Sequence, residues 1–322
     1  MKVLIIGGSN FIGWRLVQLY GKTDHEVTVY NRGNHVRTYP KGMCHIIGDR
    51  NDTVLLQNIV NESKFDVVYD MCAFNGEHIK DVVSVFNGKV GRYIFISSAA
   101  GYIDNQILPL KETDICGFHH QWGAYGSGKF ECDRRFLEAY KKDKFPITIV
   151  RPSYVYGLEN SIDRETLLFH RITNEMPLLV PYSGEGVIQL GNVDDLCDAL
   201  YTIAISDKGY GEVYNVSGNE YLTLNGLVSL VSDIVGKNAK VYHVNPEELG
   251  FTQRELFPFE NNTYFTSIEK FCNTFNWYPQ IPLKEGLEQS YIAWKENPDR
   301  IRTKTENEIK AIQILKSKGV LE

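Results

Sequence analysis

Three residues carry the most telling chemistry. Tyr125 and Lys129 stand four apart in YGSGK, so on a helix they share one face, a turn apart. A free phenol titrates near pH 10, and few are ionised at pH 7. Lowering that value by about three units takes roughly 4 kcal/mol, within reach of a neighbouring ammonium in a partly dry site. Lys129 in that role makes Tyr125 a general acid or base for a hydroxyl or a carbonyl. Ser98 closes the run YIFISS, where its hydroxyl bonds the same substrate oxygen. The same spacing occurs on ordinary exposed helix faces, so the rest of the chain decides between the two readings. Gly126 and Gly128 lie inside the motif and cost about 1 kcal/mol each in a helix. Either the helix starts after them or another segment approaches closely there.

A second constellation stands at residues 3–19. Residues 3–6 (VLII) read as a short buried parallel strand. Gly7 and Gly8 follow at once, and then the helical pattern Phe11, Ile12, Leu16, Leu19. Strand, glycine turn and helix set Gly7, Gly8, Ser9, Asn10, Phe11, Ile12 and Gly13 where backbone N–H groups and a helix N-terminus cradle a pyrophosphate. The plainer alternative is a tight turn with no ligand. Gly7 and Gly13 end the fingerprint, and its middle place is Asn10, which tolerates a left-handed backbone and has an amide for a phosphate. The expected cofactor is NAD(P), its nicotinamide beside Tyr125 and its ribose bonded by Lys129.

The next strand ends decide the cofactor's details. After EVTVY (26–30) an acid would bond the ribose 2′-OH of NAD; the chain reads Asn31, Arg32, Gly33, which favours NADP through the Arg32 guanidinium. Otherwise Arg32 is a solvated loop residue. Asp49 and Arg50 follow CHII (44–47), with Asp49 placed at the adenine amino group and also as N-cap of the next helix. Cys72 and Ala73 follow FDVVY (65–69). Ligands of open parallel sheets lie beyond the strand ends where strand order reverses, here between strands one and four, so both residues line the cofactor floor.

These pieces need a scaffold. Further strands at 93–96 and 146–150, alternating with helices at 77–87 and from about 123, make an α/β fold: a doubly wound parallel Rossmann sheet with a smaller C-terminal α/β substrate lobe. The expected boundaries are 1–157, with 187–218 returning to it, for the dinucleotide domain, and 158–186 with 219–322 for the lobe. Within the lobe, MPLLVPYSGEG reads as a loop. His119 and His120 read as a solvated loop, with a substrate-proton role as the alternative. Arg134, Arg135, Lys141, Lys142 and Lys144 read as a solvated helix face in preference to a nucleic-acid patch. At 322 residues, 43% hydrophobic and 23% charged with a net charge of −6, the chain has no global field for nucleic acid or anionic membrane. Its six cysteines are scattered, with no C-x-x-C, and read as reduced thiols and not metal ligands. The opening MKVLIIGG has no h-region or cleavage site, and no run reaches the length of a membrane span, so the expected location is cytoplasmic.

The chain resembles the extended and atypical short-chain dehydrogenase/reductases, the NAD(P)-dependent epimerase/dehydratase group. GGSNFIG, the SS–YxxxK set, RPSYVYG, NVDDL and EVYNVSG carry the resemblance, which spans almost the whole chain. GDRND, YSGEGVIQLGNVDDL, YNVSGNEYLTLNGL and FPFENNTYFTS are similar to the branch of the plant chloroplast stem-loop binding proteins. The resemblance implies cofactor binding through Gly7, Asn10, Gly13, Arg32 and Asp49, catalysis by Ser98, Tyr125 and Lys129, and a homodimer formed through a helix bundle. It implies a sugar or sugar nucleotide as substrate. Tyr154 stands where nucleotide-sugar epimerases carry an Asn that contacts the substrate's phosphates, and so is placed at the substrate. The branch also suggests an alternative, RNA binding on the same scaffold; the acidic charge balance weighs against it. A third reading is a cofactor sensor without turnover.

Overall fold

In the computed structural model, which describes residues 1–103, 107–118, 122–298 and 306–321, the apolar runs of the first half become parallel strands. The chain order is β1 (Lys2–Ile6), α1 (Phe11–Tyr20), β2 (Glu26–Asn31), β3 (Cys44–Ile47), α2 (Thr53–Glu62), β4 (Phe65–Asp70), α3 (Ile79–Phe86), β5 (Val90–Ile96), α4 (Gly123–Asp143), β6 (Ile147–Pro152) and β7 (Tyr154–Tyr156). There follow α5 (Glu165–Thr173), β8 (Pro177–Pro181), β9 (Val187–Asn192), α6 (Val193–Ala204), β10 (Glu212–Val216), β11 (Tyr221–Thr223), α7 (Leu224–Val235), β12 (Lys240–Val244), α8 (Gln253–Leu256), α9 (Glu269–Phe275), α10 (Leu283–Glu296) and α11 (Glu306–Ser317).

The chain divides into two compact units. The first comprises Met1–Val155, Val193–Ser217 and Thr266–Gln280. Its sheet has seven strands in the order β10-β6-β5-β4-β1-β2-β3, with parallel pairing throughout. Strand order reverses between β1 and β4, the switch point of a doubly wound sheet. Val3, Leu4 and Ile5 are fully buried, as strands covered on both faces must be. One apolar layer holds Leu16 and Val17 of α1, Leu200 of α6 and Phe271 of α9. The other holds Leu56 of α2, Val82 and Phe86 of α3 and Phe136 of α4. Arg15 donates twice to Asp194, at 2.7 and 2.8 Å, tying α1 to α6.

The second unit comprises Tyr156–Asn192, Gly218–Phe265 and Ile281–Glu322. β8 pairs in parallel with β12, and β9 pairs antiparallel with β11. Leu179, Val244, Leu256, Ala311 and Leu315 form its apolar cluster. Arg171 of α5 and Glu308 of α11 make a buried ion pair. Among the described residues no helix is long and apolar enough to cross a membrane.

Three expectations are corrected. Residues 177–181 of MPLLVPYSGEG are strand β8, because β12 supplies a parallel partner that local sequence does not announce. Val187–Asn192 belongs to the second unit, where its register with Tyr221–Thr223 holds it. Thr266–Gln280 belongs to the first, because Phe271 packs on Tyr214 with ring centroids 5.6 Å apart and the Trp277 indole donates to Asp198 at 2.7 Å. Phe271 is fully buried, so Phe271→Ala should cost about 3–5 kcal/mol, read as a fall in the urea midpoint of the first unit. An unchanged midpoint would return this segment to the other unit.

Candidate functional site

At the switch point Gly7 takes φ 99°, and a Cβ there would collide with the Cys72 sulfur. A Cβ at Gly13 would fall on the Gly7 carbonyl oxygen, so α1 rests directly on the turn. Gly8 lies beneath it, between Val17 and Val29, and Ile12 packs against the core. Asn10 does not take the left-handed backbone: it is extended, at φ −136° and ψ 143°, and its side chain caps nothing. The left-handed residue is Phe11, at φ 36°. Burial of its ring in the α1 layer holds that costly conformation. Among the described residues no backbone acceptor receives the N–H groups of Asn10, Phe11, Ile12 or Gly13. Ser9 is buried beside them. Such a cluster of unspent donors at a helix start fits a pyrophosphate.

The turn opens on a cleft of about 370 Å³ whose lining includes Asn10, Arg32, Asp49, Arg50, Cys72 and Phe74. Asp70, which the sequence reading passed over, organises its floor. The fully buried carboxylate accepts from Arg50 Nη2 at 2.7 Å, Tyr93 Oη at 2.7 Å, Cys72 N at 2.9 Å and Ala73 N at 3.1 Å. Burial pushes this carboxyl up, but the Arg50 guanidinium and these donors hold it below the usual carboxylate range. Arg50 therefore lines the cleft with its charge spent on Asp70. Burial pushes the Cys72 thiol up to about 11, so it is a packed apolar group. The signal for Asp70 was an acid closing an apolar strand.

Asn31 is buried, and its amide is consumed within the protein. Its Oδ1 accepts from Gly33 N at 2.9 Å and lies 3.3 Å from His45 Nε2, while its Nδ2 donates to Tyr39 at 2.9 Å. Arg32 is exposed at the cleft. Asp49 is exposed, with Oδ1 accepting from Asn51 N at 2.8 Å. It does not cap α2; Asp52 does, accepting from Leu55 N at 2.9 Å.

Helix α4 starts at Gly123 and includes both motif glycines. A Cβ at Gly126 would fall on the Ala100 carbonyl oxygen, and one at Gly128 on that of Phe74. Close approach by other segments is thus what the glycines serve. Ser98 Oγ accepts from Ala100 N at 3.2 Å and opens the turn Ala99–Gly101 that lies on Gly126. Tyr125 is 46% exposed, with its ring centroid 6.1 Å from that of Phe74. Lys129 is only 2% exposed; its Nζ donates to the Ile96 carbonyl at 2.7 Å and lies 4.3 Å from the Phe74 ring centroid. Burial lowers the Lys129 ammonium to about 8, against the pull of Asp70. Phe74 therefore touches the cleft and both motif residues, a link the sequence did not signal. Tyr154 is buried, its ring centroid 5.6 Å from that of Trp122. Arg134 and Arg135 are engaged with Glu131, at 2.7 Å in each case. His119 and His120 lie outside the described residues. No group of three His, Cys, Asp or Glu side chains able to hold a metal occurs among the described residues.

This arrangement of turn, cleft and helix has relatives. Residues 81–217 match the NAD dependent epimerase/dehydratase family. Over 304 residues the chain is 31% identical to the chloroplast stem-loop binding protein of 41 kDa b of Arabidopsis thaliana, covering 90% of this chain and 78% of that protein. The chain belongs to the NAD dependent epimerase/dehydratase family, in the branch of that stem-loop binding protein. Its fold is that of the dTDP-glucose 4,6-dehydratase of Bacillus anthracis solved with NAD, at TM-score 0.79 and 20% identity over 93% of this chain and 98% of that one. It is also that of the UDP-glucose 4-epimerase of Thermotoga maritima solved with UDP-glucose, at TM-score 0.78 and 18% identity over 92% and 99%.

Two measurements test this chemistry. Asp70→Ala leaves Arg50 buried without its partner and should cost about 3–5 kcal/mol of stability by urea denaturation; a loss below about 1 kcal/mol would contradict the role given to Asp70. Lys129 titrates lower folded than its ordinary 10.5, so the unfolded chain holds the extra proton between about pH 8 and 10.5. Its contribution to stability should rise with pH across that window, by up to about 1.4 kcal/mol per pH unit. The difference in urea stability between wild type and Lys129→Met should therefore shift in favour of wild type from pH 8 to 10.5. A flat difference would place the ammonium in water.

Proposed function

We propose that this protein is an NAD(P)-dependent enzyme of the epimerase/dehydratase type, acting on a sugar or sugar-nucleotide hydroxyl or carbonyl. The observation that carries the reading is the position of Phe74: it lines the glycine-turn cleft and touches both Tyr125 and Lys129. The cleft would hold the dinucleotide through the N–H groups of residues 10–13, and the bound cofactor would supply hydride chemistry there. Tyr125, exposed beside Phe74, takes the proton of a substrate hydroxyl or returns it to a carbonyl. Ser98 fixes that oxygen, and Lys129 supplies positive charge behind the phenol. With that chemistry supplied, the same residues would serve either inversion of a carbinol centre or dehydration. Arg32, exposed where Asn31 is already spent, favours NADP through its 2′-phosphate. The reading agrees with the NAD and the UDP-glucose bound in the two solved structures of this fold. RNA binding, the alternative suggested by the stem-loop binding in the Arabidopsis relative's name, has less support: Arg134 and Arg135 are paired with Glu131, and the net charge is −6.

Calorimetric titration of the stripped protein should show binding of NADPH, and of NADH more weakly. Arg32→Ala should weaken NADPH alone, about 10-fold. Tyr125→Phe should keep binding while lowering cofactor-linked turnover of a nucleotide-sugar panel by about 10²–10⁴. Failure of both dinucleotides to bind would remove the reading.

A further inference from the structure

The connection from β2 to β3 folds back over the start of α1. It is anchored at Tyr39, which accepts from the Asn31 amide at 2.9 Å and stands edge-on to Trp14, ring centroids 5.9 Å apart. Between these anchors Arg37 turns inward. Its guanidinium carbon lies 4.6 Å from the Trp14 ring centroid, and its Nε donates to the Ser9 carbonyl at 3.1 Å. That carbonyl belongs to the glycine turn itself. The only cis peptide bond among the described residues is Leu108–Pro109, so the Ser9–Asn10 peptide is trans. In a trans peptide the C=O and N–H vectors are opposed. Whatever fixes the direction of the Ser9 carbonyl therefore fixes the direction of the Asn10 N–H, the first of the unspent donors in the cradle.

We propose that Arg37 is a positioning residue for the cofactor's pyrophosphate, holding the Ser9–Asn10 peptide so that the Asn10 N–H is presented to it. This rests on the dinucleotide reading given under Proposed function. Three features make the hold stiff before any ligand arrives. The guanidinium is planar and stacks on an indole, which a Lys ammonium does not do as well. Trp14 is buried in the α1 layer and cannot swing away. Both anchors of the loop, Asn31 and Tyr39, are engaged with each other. A preset peptide plane spares the binding step the cost of ordering the turn. Arg37 acts on the backbone, so its effect follows the pyrophosphate and is blind to the 2′-phosphate. Arg32, at the rim, is expected to do the reverse.

The test titrates wild type, Arg37→Ala and Arg37→Lys with NADPH, NADH and 2′-AMP, and records thermal melts of the ligand-free proteins. In Arg37→Ala both dinucleotides should weaken by about the same factor, roughly 10-fold. Affinity for 2′-AMP, which has no pyrophosphate, should stay at the wild-type value, and the ligand-free melt should be unmoved. Arg37→Lys keeps a donor and should recover part of the loss. Unchanged dinucleotide affinity in Arg37→Ala would overturn the proposal. So would a loss confined to NADPH and 2′-AMP, which would make Arg37 a reader of the 2′-phosphate. An equal loss of all three ligands with a lowered ligand-free melt would reduce Arg37 to a structural residue. If wild type binds neither dinucleotide, the reading beneath fails, and the proposal falls with it.

Discussion

The cleft depends on one buried carboxylate. Asp70 sits at the carboxyl end of β4, on the line where the sheet changes direction, and gathers a guanidinium, a phenol and two backbone N–H groups. A lone charge in that place would be intolerable; with these partners it becomes the fixed point of the floor. The N–H groups it binds belong to Cys72 and Ala73, so it sets the course of the chain directly under Gly7. It also holds Arg50 at the cleft wall and lends negative charge toward Lys129.

From that floor the chain runs one residue further to Phe74, and the two halves of the site meet there. Its carbonyl lies where a Cβ of Gly128 would be, and its ring faces both Tyr125 and the Lys129 ammonium. On the other side of α4 the turn after Ser98 presses its own carbonyl on Gly126. Helix α4 is thus clasped between two backbone segments that each follow a neighbouring strand. Tyr125 and Lys129 meet Phe74 through this clasp as well as through their four-residue spacing.

What the sequence displayed was whatever depends on local pattern. The strand-turn-helix opening, the alternation of strands and helices and the position of the switch point follow from apolar periodicity and glycine placement, and all were legible. Gly126 and Gly128 announced a close approach without saying by what. The rest depends on partners far along the chain. Asp70 looks like any acid after a strand until Arg50 and Tyr93 converge on it. Arg37 lies in a polar loop, and only the fold brings it to Ser9. The left-handed strain falls on Phe11, although Asn10 is the better local candidate, because burial of a phenyl ring outweighs a backbone preference. Residues 177–181 looked like a loop because their strand partner lies some sixty residues later. The segment Thr266–Gln280 returns to the first unit through two aromatic side chains, Phe271 and Trp277, which no boundary rule would pick out.

The glycines of α4 have a consequence for when the site comes into being. With Gly123, Gly126 and Gly128 within its first six residues, this half of the helix has little tendency to form alone. It gains its shape from the carbonyl-bearing segments that lean on it, and these are set only when the sheet is closed. A nascent or partly assembled chain therefore carries residue 125 without Phe74 beside it. Its placement against Phe74 is a property of the completed architecture, acquired late and lost early if the strand ends loosen.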